Sequence, residues 1–305
     1  MLSRRLSTTM PGLARAVAIA GLLCVIVGAP AGAGAAERFG QGLLWRVETP
    51  GAAPSHVFGT IHLADPRVVR LPPDVARALA RSRSVVIETL LEAGNLQQFA
   101  SRMLFDDGRD LAAVTGPELF ARTVAVAGGI GLPEPILRQV KPWAAAMMLS
   151  VPPQDPAEVL DVVLTRMAME QGKPIHPLES VDEQLSVFEG MGEADQVRML
   201  RLAVDNFERL PSLLGRVIDG YLARDLSAIW RIREESAADS AEARQFYDAF
   251  MGRLLYDRNV RMAARAEPRI REGGAFIAVG ALHLYGSRGL LAELERLGYR
   301  VVRVY

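Results

Sequence analysis

The sequence has almost no cysteine. One cysteine occurs among 305 residues, and that residue, Cys24, lies in the first short segment of the chain. The remainder of the chain can form no disulfide and offers no thiol nucleophile and no cysteine ligand for a metal. Histidine is scarce as well, with four in the whole chain. Any bound metal must therefore be held by nitrogen and oxygen atoms.

The sequence also lacks an excess of charge of either sign and a long hydrophobic run beyond its first 36 residues. Lysine and arginine together number 35, as do aspartate and glutamate. Without a basic block there is no electrostatic reason to expect nucleic acid as a partner. No later stretch reaches the ~20 apolar residues that span a bilayer, so no stable membrane anchor is expected once the first segment is removed.

Residues 1–36 have the layout of a cleavable export signal. Arginines precede an apolar run from Ala16 to Val27, and small residues continue through Ala36. Cleavage after Ala33 or Ala35 also fits the small-residue preference, but we predict cleavage after Ala36, because Glu37 opens the first polar stretch. The protein is therefore expected to be periplasmic or secreted.

Strand-like segments at both ends of the remaining chain enclose a long helical middle. The segments "LLWRVET" and "HVFGTIH" predict an opening hairpin, "SVVIE" and "KPIHPLES" two further strands, and "GGAFIAVGALH" and "YRVVRVY" strands near the C-terminus. The predicted class is α/β, with a central mixed sheet formed by the N- and C-terminal segments. We expect one domain over residues 37–305, with a mostly helical insertion or subdomain at 93–272.

Two of the four histidines occur in the same frame, Gly-x-x-His-Leu, in "GTIHLAD" at 59–65 and "GALHLYG" at 280–286. Ligand sites in α/β sheets lie beyond the carboxyl ends of strands, and four predicted strands lead to polar residues there, namely His62, Glu88, Glu179 and His283. Two imidazoles with one or two carboxylates suit manganese, iron, cobalt or zinc. A single histidine at a strand end is commonly structural. The repeated motif is what indicates a site.

The segments "SHVFGTIHLAD", "VVIETLLE", "KPWAAAMML", "GKPIHPLESVDEQLSVF", "YDRNVRM" and "FIAVGALHLYGSRGLLAELERLGYRVVRV" together resemble the TraB/GumN family, which includes PrgY and the TIKI proteases. The resemblance implies a metal-dependent hydrolase in which His62, His283 and Glu88 hold a divalent ion such as Mn, Co or Zn. It also implies a fold similar to the erythromycin esterase and ChaN-like proteins. Family members often place an aspartate two residues after this glutamate. Here Leu90 stands there, so Glu179 is the candidate for a second acid.

The preferred function is hydrolysis of a peptide or another small envelope substrate. In this interpretation Glu179 accepts the proton of the attacking water, and Arg258 stabilises the developing oxyanion. Two alternatives remain open. In one, histidine and glutamate act directly as base and acid without a metal. In the other, the protein is a non-catalytic envelope binding protein for a peptide or a polysaccharide intermediate.

Several neighbouring residues carry weaker expectations. Asp65 either orients His62 or caps the turn at Pro66. Trp143 is expected in the core. The helical pattern around Arg258 by itself predicts an exposed face, against the functional role that the resemblance implies.

Overall fold

Six strands form one mixed sheet in the computed structural model, which describes residues 37–90, 93–152, 154–235 and 241–305. The predicted export signal lies outside the described residues. The strands are β1 (Leu44–Glu48), β2 (Ser55–Thr60), β3 (Ser84–Ile87), β4 (Ile175–Pro177), β5 (Ala275–Gly280) and β6 (Arg300–Arg303).

The strand order is β4-β3-β5-β2-β1-β6, so the C-terminal β5 lies between two strands from the N-terminal part of the chain. Strands β2 to β5 run parallel to their neighbours in this group, whereas β1 is antiparallel to both β2 and β6. The predicted hairpin and the predicted α/β class with a mixed sheet are confirmed. Because the four parallel strands share a direction, their carboxyl ends meet at one edge of the sheet.

Helices fill the intervals between strands. They are α1 (Pro66–Val69), α2 (Pro73–Arg81), α3 (Ala93–Arg102), α4 (Leu111–Thr115), α5 (Pro117–Gly129), α6 (Glu134–Leu137), α7 (Pro142–Leu149), α8 (Leu160–Glu170), α9 (Val181–Glu189), α10 (Glu193–Asn206), α11 (Leu210–Leu222), α12 (Leu226–Glu235), α13 (Ala241–Met251), α14 (Asp257–Glu272) and α15 (Leu290–Arg296). Strand β4 interrupts the helical stretch of 93–272 and joins it to the sheet.

Local sequence signals explain where some helices begin. The Ser180 side chain accepts a hydrogen bond from the Glu183 amide, and the Glu183 carboxylate accepts one from the Ser180 amide, so α9 opens with a capping box. Residues Pro156–Glu158 form a 3₁₀ turn, closed by a 3.1 Å bond from the Glu158 amide to the Asp155 carbonyl, and α8 begins at Leu160.

One continuous hydrophobic core joins the sheet to the helical middle. Trp143 of α7 is fully buried, as predicted, and stacks on Phe188 of α9 with ring centroids 5.4 Å apart. Phe276 of β5 is equally buried and packs near Phe58 of β2. Burial of each such side chain stabilises the fold by roughly 1.5–3 kcal/mol. Among the helices of the described ranges, none combines the length and the apolar character needed to cross a bilayer.

Candidate active site

The second motif glycine, Gly280, lies where three of the predicted site residues converge. A methyl group built on Gly280 would lie 3.3 Å from Glu88 Oε1, 3.6 Å from His62 Nε2 and 3.6 Å from His283 Cδ2. The parallel register explains this convergence, since Thr60 of β2 pairs with Gly280 and Ile87 of β3 pairs with Ala278. The structure therefore brings His62, Glu88 and His283 together at the sheet edge, as the strand-end argument predicts.

The first motif glycine has a packing role. A methyl group on Gly59 would lie 2.9 Å from the Leu284 side chain and 3.0 Å from Ala281 Cα. Any side chain there would push the second motif away from β2, because such approaches are below normal van der Waals distance. The two motifs are thus in direct contact, which explains why each carries a glycine before its histidine.

Arg258 of α14 is buried and connects the two glutamates. Its Nη2 donates to Glu88 Oε2 at 2.7 Å, its Nε donates to Glu179 Oε2 at 2.8 Å, and its Nη1 donates to the Leu254 carbonyl at 3.1 Å. Although burial opposes it, the charge of the two carboxylates raises the pKa of Arg258 further. The exposed face predicted here from periodicity is wrong, because residue 258 is 3% exposed and faces the sheet.

Glu179 completes the same cluster from the segment after β4. Its side chain is fully buried, and its Oε1 lies 3.3 Å from Arg261 Nη2 while its Oε2 accepts from Arg258. Glu179 is therefore joined to Glu88 through one shared guanidinium. Both of its oxygens are thus in contact with arginine side chains.

Glu88 is held as a carboxylate. Burial raises the pKa of Glu88, but the neighbouring His283, Arg258 and His62 side chains and a 2.5 Å hydrogen bond from the Gly280 amide together lower it to about 2. Of these side chains, Arg258 is always charged. Glu88 therefore carries its negative charge throughout the neutral range.

His62 is oriented by Asp161, a residue of α8. The His62 Nδ1 lies 2.7 Å from Asp161 Oδ2, and Asp161 Oδ1 accepts a 2.6 Å hydrogen bond from Thr60 Oγ1. Burial lowers the pKa of His62, but the adjacent Asp161 carboxylate outweighs it and raises that pKa to about 9. The His62 Nε2 is buried and has no hydrogen-bond partner among the described residues.

Asp65 does not have the orienting role that the sequence left open. Its carboxylate accepts a 2.8 Å hydrogen bond from the Arg67 amide and pairs with the Arg67 guanidinium. Asp65 is therefore the N-cap of α1, which is the second of the two roles considered for it.

His283 is oriented by Asn259, the neighbour of Arg258 on α14. Asn259 Nδ2 donates to the Arg288 carbonyl at 2.8 Å, so Asn259 Oδ1 is the acceptor that lies 2.6 Å from His283 Nδ1. His283 Nδ1 then carries the proton and Nε2 holds a lone pair, 3.8 Å from Glu88 Oε1. Burial lowers the pKa of His283 to about 3, so the ring is neutral near pH 7.

The donor atoms fit a metal in part. Each imidazole has its Nδ1 held by an oxygen acceptor and turns its Nε2 toward Glu88, which is the arrangement found for histidines that ligate metals. Across the described ranges, however, no three side chains of the His, Cys, Asp and Glu types already stand where they could hold one ion. The Gly280 amide and Arg258 occupy the two oxygens of Glu88. Two histidines thus fit, and Glu88 Oε1, which keeps a second lone pair beside its bond from the Gly280 amide, would need to move closer to the rings to join them.

Two side chains at the margin of the cluster are partly exposed. The Arg261 side chain is 38% exposed and the Asp161 side chain 28%, whereas those of Glu88, Glu179 and His283 are all below 10%. Asp161 and Arg261 therefore form the more exposed margin of the cluster. Neither residue was predicted from the sequence. Asp161 lies on α8 with no motif around it, and within "YDRNVRM" only Arg258 was assigned a role, although Arg261 lies in the same segment.

Comparison with known proteins gives one family and one relative. The family model described as the TraB/PrgY/gumN family matches residues 43–303. Metalloprotease TIKI1 of Xenopus tropicalis is 23% identical over 316 aligned residues, which cover 85% of this chain. The match spans 61% of the length of TIKI1, so the relative has a substantial part that this chain does not match. No solved structure matches.

Proposed function

Because the chain belongs to the TraB/PrgY/gumN family, we propose that it is a metal-dependent hydrolase that acts on a peptide or a similar small envelope substrate. The observation that carries this proposal is the pair of buried imidazoles, each fixed through Nδ1 and each presenting Nε2 to the same ionised carboxylate. The similarity to a protein named as a metalloprotease supports the reaction class.

The ligands of the ion in this proposal are His62 Nε2, His283 Nε2 and Glu88 Oε1. Mn, Co or Zn suits a set of two nitrogens and one oxygen. When bound, such an ion polarises a carbonyl oxygen and lowers the pKa of a coordinated water. The amide of Gly280 holds Glu88 Oε1 in the metal-free protein, so it keeps the carboxylate close to the two rings.

Arg258 and Glu179 take positioning roles in this proposal. All three nitrogens of the Arg258 guanidinium already donate to Glu88, Glu179 or the Leu254 carbonyl. Arg258 therefore acts on the reaction by fixing the orientation and charge of Glu88, in place of the oxyanion contact expected from the sequence. Glu179 in turn fixes Arg258, and its expected role as proton acceptor is less favoured because arginines occupy both its oxygens.

The location of the protein is part of the proposal. The layout of residues 1–36 supports export, and a periplasmic or secreted enzyme would meet peptides and other envelope compounds there. Sequencing the N-terminus of the protein recovered from the periplasm tests this. A mature chain that begins near Glu37 supports export, and an uncleaved Met1 form in the cytoplasm would contradict it.

The test of the metal site uses all four histidines of the chain. His62→Ala and His283→Ala should each reduce the metal bound per protein after mild purification, with circular dichroism unchanged. His56→Ala and His176→Ala are matched controls, because these residues lie in β2 and β4 and take no part in the proposed site. Full metal content in both site variants would place the ligands elsewhere.

Activity is tested separately on a panel of peptides and esters. Chelation should abolish hydrolysis, and added manganese, cobalt or zinc should restore it. A second candidate, in which histidine and carboxylate act as base and acid without an ion, is kept because no three ligand-type side chains of the described residues already stand where they could hold one ion. Hydrolysis that survives chelation supports that candidate. Binding of peptide without hydrolysis would instead indicate a non-catalytic envelope binding protein.

A further inference from the structure

A cavity of about 330 Å³ lies between α2 and the sheet, away from the proposed active site. His56 at the start of β2 and Gly274 just before β5 line it. The active-site histidines follow the opposite ends of these same two strands. Because a strand rises about 3.3 Å per residue, the six residues of β2 separate the cavity from His62 by roughly 20 Å.

The lining of the cavity is positively charged. Arg77 and Arg81 of α2 and Arg83 of the following turn all contribute to it, and Asp74 supplies the single acid of the lining. Asp74 forms an ion pair with Arg77. Within the residues that the structure describes, the side chains of Arg81 and Arg83 have no acidic partner. The lining therefore has two uncompensated guanidinium groups.

Part of the cavity wall is apolar. Leu44, Ala78 and Val304 contribute to it, and Val304 is a large hydrophobic residue left 41% exposed. The half-buried His56 also lines the cavity. A ligand that filled the cavity would thus meet both apolar surface and cations.

We propose that this cavity binds a small organic anion, a carboxylate or a phosphate that carries an apolar portion. The planar guanidinium group matches the geometry of both acids and binds them through paired charge-assisted hydrogen bonds. The apolar portion would cover Val304 and the neighbouring wall. The volume is at the lower end of ~300–1,000 Å³ for ligand pockets, so the ligand is small. This binding site is separate from the hydrolytic centre and does not depend on it.

Calorimetry on the full-length purified protein tests the proposal with four probes: benzoate, phenyl phosphate, inorganic phosphate and benzyl alcohol. We expect at least one of the two aromatic anions to bind with a Kd of about 1 mM or tighter, and inorganic phosphate and the uncharged alcohol to bind at least about tenfold more weakly. Whichever of the two aromatic anions has the lower Kd shows whether the cavity prefers a carboxylate or a phosphate. If benzyl alcohol bound as tightly as the aromatic anions, or if neither aromatic anion bound, the proposal would be overturned.

Variants locate the binding. Arg81→Gln with Arg83→Gln should weaken binding by about tenfold or more, since both charged donors are lost. Arg166→Gln with Arg201→Gln removes the same charge from exposed positions on α8 and α10, outside the cavity, and should leave Kd within about twofold. If the first variant keeps the wild-type Kd, the site is not this cavity.

Two further variants keep the test decisive. Val304→Glu places a negative charge in the wall at an exposed position, and should also weaken binding by about tenfold even if the double variant folds poorly. His62→Ala should bind the more tightly bound of the two aromatic anions with the Kd of the wild type. Loss of binding in His62→Ala would place the probe in the hydrolytic centre and overturn the proposal of a separate site, while leaving the proposed hydrolase function untouched.

Discussion

At the scale of single residues, the site is a chain of buried charges in which each member determines the state of the next. Glu179 holds Arg258, Arg258 holds Glu88, and Glu88 faces the free nitrogens of the two motif histidines. An unpaired buried charge costs several kcal/mol, so removal of one member affects the others. The two glutamates are nevertheless expected to differ in their effect on metal binding, because Glu88 alone faces the imidazoles.

Substitution of each glutamate by its neutral isostere separates their roles. Glu88→Gln should lose metal and turnover together, since the proposed oxygen ligand loses its charge. Glu179→Gln should retain metal but lose about 3 kcal/mol of unfolding free energy, because Arg258 remains buried with one carboxylate fewer. Metal stoichiometry, hydrolysis rate and urea unfolding of both variants provide the check. A Glu88→Gln protein with full metal and full rate would exclude the proposed site.

Asp161 provides the second residue-scale prediction. Asp161→Asn should weaken metal binding by about 10- to 100-fold, because His62 loses the acceptor that fixes its ring. The matched control is Asp65→Asn, which removes the same charge but leaves a side-chain oxygen that can cap α1, and it should leave metal affinity unchanged. Metal titration followed by calorimetry distinguishes the two. Equal metal affinity in wild type and Asp161→Asn would show that His62 needs no such support.

The same pair gives a pH dependence in the metal-free protein. The pKa of His62 is raised from 6.5 to about 9, so its ion pair with Asp161 contributes stability that is fully present below pH 6.5 and is lost as pH rises through 9. Metal-free wild type should therefore lose stability between pH 6.5 and 9 relative to Asp161→Asn. If the unfolding free energies of the two proteins changed equally with pH over that range, the result would contradict the raised pKa of His62.

At the scale of elements, α9 shows how a local signal and a distant partner combine. The capping box between Ser180 and Glu183 is readable in the sequence, but the paired 2.7 Å contacts from Arg265 of α14 to the Glu183 carboxylate are not. The hydrogen bonds from Arg265 and from the Ser180 amide lower the pKa of Glu183 to about 2. The cap of α9 is thus also a connection between two helices.

Glu183→Gln should cost about 1 kcal/mol at pH 7, because the paired charge-assisted contacts with Arg265 are lost, whereas glutamine can still accept the hydrogen bond from the Ser180 amide. Because the folded-state pKa is depressed, this contribution is present above the ordinary value of 4.5 and is lost as pH falls toward 2. The difference in unfolding free energy between wild type and Glu183→Gln should therefore shrink across that window. Glu193→Gln, which alters an exposed pair with Arg109 in the first turn of α10, is the control and should change stability by less than about 0.5 kcal/mol. An undiminished difference at pH 2.5 would contradict the prediction.

The limits of sequence-based prediction are visible at the same scale. Strands and their carboxyl ends were predictable because alternation, buried apolar runs and turn residues are local, and parallel order then brings His62, Glu88 and His283 together. The partners of the histidines were not predictable. Asp161 meets Thr60 across 101 positions of sequence, and nothing in the helical pattern of α8 marks it. Arg258 occupies a helix of high polarity, and only the packing of α14 against the sheet shows that it is buried.

At the scale of the whole molecule, the helical middle is tied to the sheet by more than hydrophobic packing. Strand β4 pairs with β3, the Tyr221 hydroxyl of α11 donates to the Gly59 carbonyl at 2.8 Å, and Arg258 of α14 bonds Glu88. These contacts reach two strands outside the helical middle, β2 and β3. The stretch of 93–272, expected from its composition as an insertion or subdomain, therefore has little means of unfolding alone.

We accordingly predict one cooperative unfolding transition, observable with the tryptophans of the chain. Trp45 lies in β1 and Trp143 in α7, and both are buried, so a protein that keeps only one of them reports on the sheet or on the helical middle. Replacing the other tryptophans by phenylalanine should give two single-tryptophan variants. Because each removal also destabilises the core, each fluorescence curve is compared with the circular dichroism of the same variant. If the fluorescence and circular dichroism curves have the same midpoint in both variants, the protein unfolds as a single cooperative unit joined at the site. A Trp143 fluorescence signal that changes at a lower urea concentration than the circular dichroism would show that the helical middle unfolds first. In that case the polar contacts to Gly59 and Glu88 would be too weak to couple the helical middle to the sheet.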